Sequence, residues 1–163
     1  MGNLRMSGLA EWLAALNSPS LQTRLEGDAA LVAQGTVAEA PLIALLRDTD
    51  APDEARWRAA FTLGTIGSPA AMPTLTAGLR DASWSVRHAC ACALGEMADP
   101  AAALALWAVV TAPVPDEQVN YVAAIGLLRV NRSQGEAMLR AAAAGSSRAG
   151  RNTAISALAS LAY

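Results

Sequence analysis

The chain has 163 residues, 53% apolar but only 4% aromatic, with a formal net charge of −2 and a pI near 5.3. This length suits one compact unit, and the acidic balance argues against nucleic-acid binding, which needs a basic stripe to displace counterions. All twelve basic residues are arginine, which excludes Schiff-base and lysine-nucleophile chemistry.

No basic stretch followed by an apolar run marks a signal peptide. The alanine-rich stretch 101–112 is too short to span a bilayer. In the segment Met1 to Ser7 the serine comes one place too late for a myristoylation signal. Cys90 and Cys92 are two residues apart on a predicted helix, so about 200° separates them around the axis. They can neither pair with each other nor grip one metal. A reducing, cytoplasmic setting is expected.

Taken in order, the chain reads as about ten short helices. The first is predicted near Leu9–Leu16, with Ser7 as N-cap, and Ser18-Pro19-Ser20 ends it. After it, helices of two kinds alternate. The first kind is predicted near Leu21–Gln34, Asp53–Ile66, Ser85–Met97, Asp116–Val130 and Arg148–Ala162. The second kind is predicted near Val37–Leu46, Pro69–Leu79, Pro100–Thr111 and Ser133–Ala144. Pro69 and Pro100 fall at a first helical position, where a missing N–H is harmless. Gly35 and Gly67 stand where a left-handed C-cap is wanted. No segment alternates with period two for long enough to suggest a strand.

A leucine near the end of each first-kind helix recurs at a nearly fixed interval: Leu31, Leu63, Leu94, Leu127 and Leu158. Such a period marks a repeat architecture. Each helix is too short to stand alone in water, so stacked pairs must bury a shared core. Residues 1–19 read as an N-terminal capping helix and 20–163 as the repeat array, its last repeat incomplete.

Two segments carry a family resemblance. Ala55-Arg56-Trp57-Arg58-Ala59-Ala60-Phe61-Thr62-Leu63-Gly64-Thr65-Ile66-Gly67 and Val86-Arg87-His88-Ala89-Cys90-Ala91-Cys92-Ala93-Leu94-Gly95 resemble the signature of HEAT repeats of the phycobilisome-lyase-like type. The second-kind segments from Pro41 to Asp48 and from Leu75 to Asp81 resemble that family's second helix. The match fades where Gly27-Asp28 replaces the expected alanine pair and where Asn120 replaces an arginine. The resemblance implies an all-α, right-handed α-solenoid of about five helix pairs. It also implies that Arg24, Arg56, Arg87 and Arg151 bridge to the turn aspartates Asp48 and Asp81, a structural role favoured over binding.

A helical wheel separates core from surface. With Trp57 at 0°, Trp57, Arg58, Phe61 and Thr65 span about 0–100° and Ala59, Leu63 and Ile66 cluster near 180–240°. The leucine side is core, so the Trp57 side looks outward; in the family it resembles, that side lines the concave surface. Down the repeats one column reads Trp57, His88, Tyr121, Asn152 and the next reads Phe61, Cys92, Ile125, Ser156. A third reads Thr65, Glu96, Arg129, Ser160.

Aromatic anchors with a mixed polar rim are how a protein-binding surface is built. The candidate partner-binding residues are therefore Trp57, Arg58, Phe61, His88, Cys92, Glu96, Tyr121, Ile125, Arg129 and Asn152. The competing reading folds these side chains over a thin, alanine-rich core. Trp84 is read chiefly as inter-repeat packing, Trp107 as core or convex packing, and Trp12 as packing the cap.

His88 is the only histidine. Cys92 and Glu96 lie on its helix face, but no second histidine completes a zinc site. No catalytic residue, metal or cofactor is expected.

The function expected is a non-catalytic adaptor, not an enzyme, that grips a protein or peptide on its concave face. Neither nucleic acid nor membrane is expected as a partner, and self-association stays open. The alternative is a bilin-lyase-like enzyme or lyase chaperone subunit. The hydroxylases of this fold resemble paired His-Glu metal sites, which one histidine cannot supply.

Overall fold

In the computed structural model, residues 8–112, 116–145 and 148–162 are described; the N-cap expected at Ser7 lies outside them. The elements are α1 (Leu9–Ala15), α2 (Leu21–Gln34), α3 (Thr36–Arg47), α4 (Asp53–Ile66), α5 (Met72–Gly78) and α6 (Trp84–Met97). Then come α7 (Ala103–Val110), α8 (Glu117–Val130), α9 (Arg132–Ala144) and α10 (Arg148–Ala159). Among the described residues there is no strand.

Local chemistry sets the boundaries. Ser20 caps α2 by accepting the Thr23 N–H at 3.3 Å. Asn131 caps α9 through the Gln134 N–H at 3.0 Å. Pro69 and Pro100 each open a short 3-10 turn, Pro69–Ala71 and Pro100–Ala102, that runs into α5 and α7. Gly67 closes α4 in the left-handed conformation at φ 72°, and Gly35 follows α2 at φ 54°. In the next repeat the place of Gly67 falls to Ala98, also left-handed at φ 50°.

The recurring leucine is the centre of each repeat. Leu31, Leu63 and Leu94 are fully buried, and Leu127 nearly so. Leu158, on α10, is only half-buried. The glycine that follows Leu63 and Leu94 has a packing cause. A Cβ on Gly64 would lie 2.6 Å from the Cα of Ala93, and one on Gly95 would lie 2.8 Å from the Cα of Gly126. Helices α4, α6 and α8 thus touch backbone to backbone.

Two layers result. The first-kind helices α4, α6, α8 and α10 pack directly on one another. The second-kind helices α3, α5, α7 and α9 pack mainly on their first-kind neighbours and touch each other little. A layer packed more tightly than its companion must follow the shorter arc, so the first-kind helices line the concave side. The fold is an all-helical HEAT-like α-solenoid, as the repeat period implies.

Candidate functional site

The concave face is built from three columns of α4, α6 and α8. Phe61 is 52% exposed and Tyr121 38%. Glu96, Arg129 and Asn152 are exposed, while Trp57, His88, Cys92 and Ile125 are half-buried. Between α6 and α8 a groove of about 260 Å³ is lined by Cys92, Glu96, Tyr121, Ile125 and Arg129, floored by Gly95 and Gly126. The small floor residues that let the helices touch are also what leaves room above them. An ion pair between Glu96 and Arg129 spans the groove. Five of the ten candidate residues therefore share one cavity.

Arg58 departs from its expected place on the outward rim. It is buried, 8% exposed. Its Nε donates to Glu54 Oε1 at 2.8 Å and its Nη1 donates to Asp28 Oδ2 at 2.6 Å on α2. The guanidinium also sits 4.5 Å from the Trp57 ring centroid. The reason lies on α2: Asp28 stands where the later repeats have Ala60, Ala91 and Ala124, and its carboxylate draws Arg58 inward.

Trp57 is tied down as well, its Nε1 donating to Glu54 Oε2 at 2.9 Å. Arg24 completes the network with its Nε 3.2 Å from Glu54 Oε1. Burial raises the Asp28 carboxyl, outweighing the charge and hydrogen bond of Arg58. Burial also pushes Glu54 upward, but hydrogen bonds from Arg58 and Trp57 and the charges of Arg58 and Arg24 together hold it below the usual range.

On α6 the Cys92 Sγ lies 3.8 Å from His88 Nδ1. Burial raises the Cys92 thiol, more than the nearby Arg129 charge lowers it. Burial likewise pushes Cys90 up to about 12. A protonated thiol is a weak nucleophile, so Cys92 serves here as a wall of the groove.

Trp84 opens α6 instead of preceding it. Its Nε1 donates to Asp116 Oδ1 at 3.2 Å across the repeat boundary, and its ring lies 5.1 Å from that of His88. Yet it is 43% exposed, so it both bridges repeats and extends the concave surface. Leu25, 51% exposed, and Leu21, 57% exposed, extend it further on α2. Leu25 stands 32 residues before Trp57; the same register that picked out Trp57 leads to it.

The turn arginines meet the expected aspartate carboxylates only in part. Arg56 pairs with Asp81. Arg87 pairs with Asp116 at 2.7 Å and donates to the Asp81 carbonyl at 2.8 Å. Arg24 and Arg151 donate to the carbonyls of Ser18 and Gly145, each six residues back. Asp48, expected to receive an arginine, instead accepts the Asp50 N–H at 3.0 Å. Buried Asn120, with its amide nitrogen turned toward them, donates to the carbonyls of Val109 and Asp116 in the place of the missing arginine.

Comparisons with known proteins bear on fold and function. Residues 39–117 match the family described as HEAT repeats. The deoxyhypusine hydroxylase of Gallus gallus is 38% identical over 78 residues, 48% of this chain and 26% of that protein. Its counterpart from Rattus norvegicus is 42% identical over 57 residues, 35% of this chain and 19% of that protein. The chain thus spans about a quarter or less of the curated relatives it matches. Among solved structures, the complex of CpcE and CpcF of phycocyanin lyase from Nostoc sp. PCC7120 superposes with a TM-score of 0.74 at 21% identity. It covers 92% of this chain and 97% of that one.

These findings overturn the expectation of a non-catalytic adaptor that is not an enzyme: the curated relatives are enzymes. The paired His-Glu metal set implied for the hydroxylases does not fit this chain. It has one histidine, and among the described residues no group of three or more His, Cys, Asp or Glu could hold a metal ion. Among the same residues no helix is long and apolar enough to cross a membrane. The matched HEAT repeats lie in residues 39–117, and the helices on either side continue the same two-layered, HEAT-like fold.

Proposed function

We propose that the chain is one subunit of a two-solenoid, bilin-lyase-like enzyme that works in the cytoplasm, and that its concave face holds the bilin. The observation that carries this reading is the half-open α6–α8 groove, lined by Tyr121, Ile125, Cys92 and the Glu96–Arg129 pair. A bilin is long, flat and conjugated, with carboxylate side arms. Exposed Phe61 and Tyr121 offer rings for stacking. Arg129 offers a guanidinium to a carboxylate once it leaves Glu96. Ile125, Val122 and the half-buried Cys92 supply walls that keep water off the conjugated system, with His88 one turn before Cys92 on the same helix. Trp57, locked by Glu54 and Arg58, flanks the approach from α4, and Asn152 continues the same column on α10.

The likeness to the CpcE–CpcF complex supports a protein partner of related fold. In this reading residues 1–19 cap the array and 20–163 form it. The protonated Cys92 binds and does not attack.

The test is titration of the chain with an open-chain tetrapyrrole, followed through its long-wavelength absorbance. Phe61→Ala with Tyr121→Ala should weaken binding on the order of tenfold or more, with helical circular dichroism unchanged. Arg129→Gln should weaken binding of the free acid but not of its dimethyl ester. A titration indifferent to all three substitutions would sink the proposal.

A further inference from the structure

The layer of second-kind helices carries two cavities that the function proposed above leaves unused. One, of about 420 Å³, lies between α3 and α5 against Ile43, Leu46, Pro73 and Ala77, and Arg47 and Arg56 also line it. The other, of about 240 Å³, lies between α5 and α7 against Thr76, Leu79, Ala105 and Ala108, and Arg80 and Arg87 also line it. They are the same groove one repeat apart. Leu79 and Arg80 stand 33 residues after Leu46 and Arg47, and Arg87 and Ala108 stand 31 after Arg56 and Ala77. Their cause is local. The second-kind helices touch each other little, and the alanines and Gly78 between them are too small to fill the gap.

Each groove holds one committed arginine and one uncommitted. Arg56 is paired with Asp81, and Arg87 with Asp116. Arg47 and Arg80 are exposed, and among the described residues neither forms an ion pair. Carboxylates nearby are engaged elsewhere. Asp48 accepts the Asp50 N–H at 3.0 Å, Asp81 also accepts the Ser83 N–H at 2.9 Å, and Asp116 also accepts from Trp84 Nε1 at 3.2 Å. Two guanidiniums one repeat apart are therefore available to carboxylates from outside.

Geometry narrows the occupant. One exposed arginine holds one carboxylate by less than about 1 kcal/mol, so a ligand gains most by reaching both grooves at once. A helix, about 10–12 Å across with its side chains, is too broad to enter either groove. An added strand needs an open sheet edge, and here both walls are helices. A nucleic acid would bring many phosphates to a chain whose net charge is −2. A polyproline-II segment fits. It advances about 3.1 Å per residue and turns once in three. Side chains three apart then share a face about 9 Å apart, close to the roughly 8–10 Å between packed helices.

We propose that these two grooves bind one extended acidic peptide segment, with carboxylates three residues apart on Arg47 and Arg80 and a proline or other small apolar side chain seated in each groove. The site lies on the second-kind layer, away from Phe61, Tyr121 and Arg129, and is independent of tetrapyrrole binding.

The experiment follows a fluorescein-labelled peptide of three glutamate-proline-alanine units by anisotropy against the full chain. Arg47→Gln and Arg80→Gln should each weaken binding about two- to fivefold, and the two together on the order of tenfold or more. Ala77→Leu and Ala108→Leu, at exposed sites, should fill the grooves and weaken binding while helical circular dichroism and the tetrapyrrole titration stay unchanged. A peptide with glutamine in place of glutamate, or with its glutamates four apart, should bind on the order of tenfold more weakly. Raising salt should weaken the complex. Equal binding of the four-apart peptide would mean diffuse charge attraction and overturn the proposal. So would binding that survives the double arginine variant, or no binding of the three-apart peptide at all. Phe61→Ala with Tyr121→Ala should leave peptide binding intact; its loss there would put the peptide on the concave face and overturn the assignment.

Discussion

The joint between α4 and α6 and the joint between α2 and α4 solve one problem in opposite ways. In the first, Gly64 lies against Ala93 and Ala60 is sealed beneath. The contact is dry, apolar and backbone-close, and α4 and α6 share an extensive contact. In the second, Asp28 stands in the alanine place and a network of Arg24, Glu54, Arg58 and Asp28 fills the gap. There α2 and α4 touch far less. Small residues let helices approach, whereas a half-buried carboxylate holds them apart and recruits an arginine that the concave face would otherwise display. The dry joints floor the candidate groove, and the charged joint anchors Trp57 at its edge. The dry joints therefore carry both stability and the groove floor, and the charged joint sets the groove's edge.

The largest expected effect comes from the dry joints. Leu94→Ala should destabilise the fold by about 2–5 kcal/mol, since the side chain is fully buried. Urea unfolding measures it, and a loss near zero would mean that the recurring leucine is not the centre of the repeat. Gly64→Ala should cost about 1–3 kcal/mol by overpacking, because Ala93 offers only backbone and Cβ to move. Gly67→Ala, which meets nothing within 4 Å, should act only through its left-handed backbone.

The charged joint should respond differently. Arg58→Met leaves the half-buried Asp28 without its main partner and should destabilise by about 1–3 kcal/mol. Adding Asp28→Ala restores the small residue of the later repeats and should recover most of that loss. A double variant no more stable than Arg58→Met would show that the network contributes more than it costs.

Acid sharpens the same contrast. The folded Asp28 carboxyl is raised, so the folded state holds its proton more tightly than the unfolded chain does. Asp28 therefore detracts from stability above its folded value, and the loss is relieved as pH falls through that value. Glu54 is lowered, so its contribution is present above its unfolded value and fades as pH falls toward its folded one. The two oppose each other in the acid range. Asp28→Ala should make the rise of stability from acid to neutral pH steeper, as read by urea midpoints at several pH values. A shallower rise would reverse the assignment.

The architecture was legible because it repeats. A period near 32 residues and a leucine in fixed register marked the first-kind helices and their core side, and prolines, glycines and caps marked the helices between them. The outward column was legible for the same reason, and Phe61, Tyr121, Glu96 and Arg129 lie where it puts them. What escaped were departures from the repeat. Asp28 turns Arg58 inward, and a wheel drawn on one helix carries no information about the charge on its neighbour. Leu25 sits in register, yet a column begun at Trp57 omits it. Asp48 and Asp81 look alike in sequence, but only Asp81 meets an arginine, since Arg24 finds Glu54 first.

The smallest effect tests the register at a single turn. Gly67 and Ala98 occupy the same place in successive repeats, both with positive φ, at 72° and 50°. In that conformation a Cβ crowds the following carbonyl, a strain of about 1–2 kcal/mol that glycine avoids. Glycine also leaves a more flexible unfolded chain, which returns about 0.4–1 kcal/mol of the gain. Ala98 is exposed, so no packing is lost with its methyl. Ala98→Gly should therefore stabilise by up to about 1 kcal/mol, raising Tm by a few degrees, while Gly67→Ala should lower it by a similar amount. Equal and opposite shifts would mean that both repeats close through one backbone geometry. A fall in Tm for Ala98→Gly would mean that the α6 C-terminus relaxes out of the left-handed conformation, and that the third repeat ends its helix by a different turn.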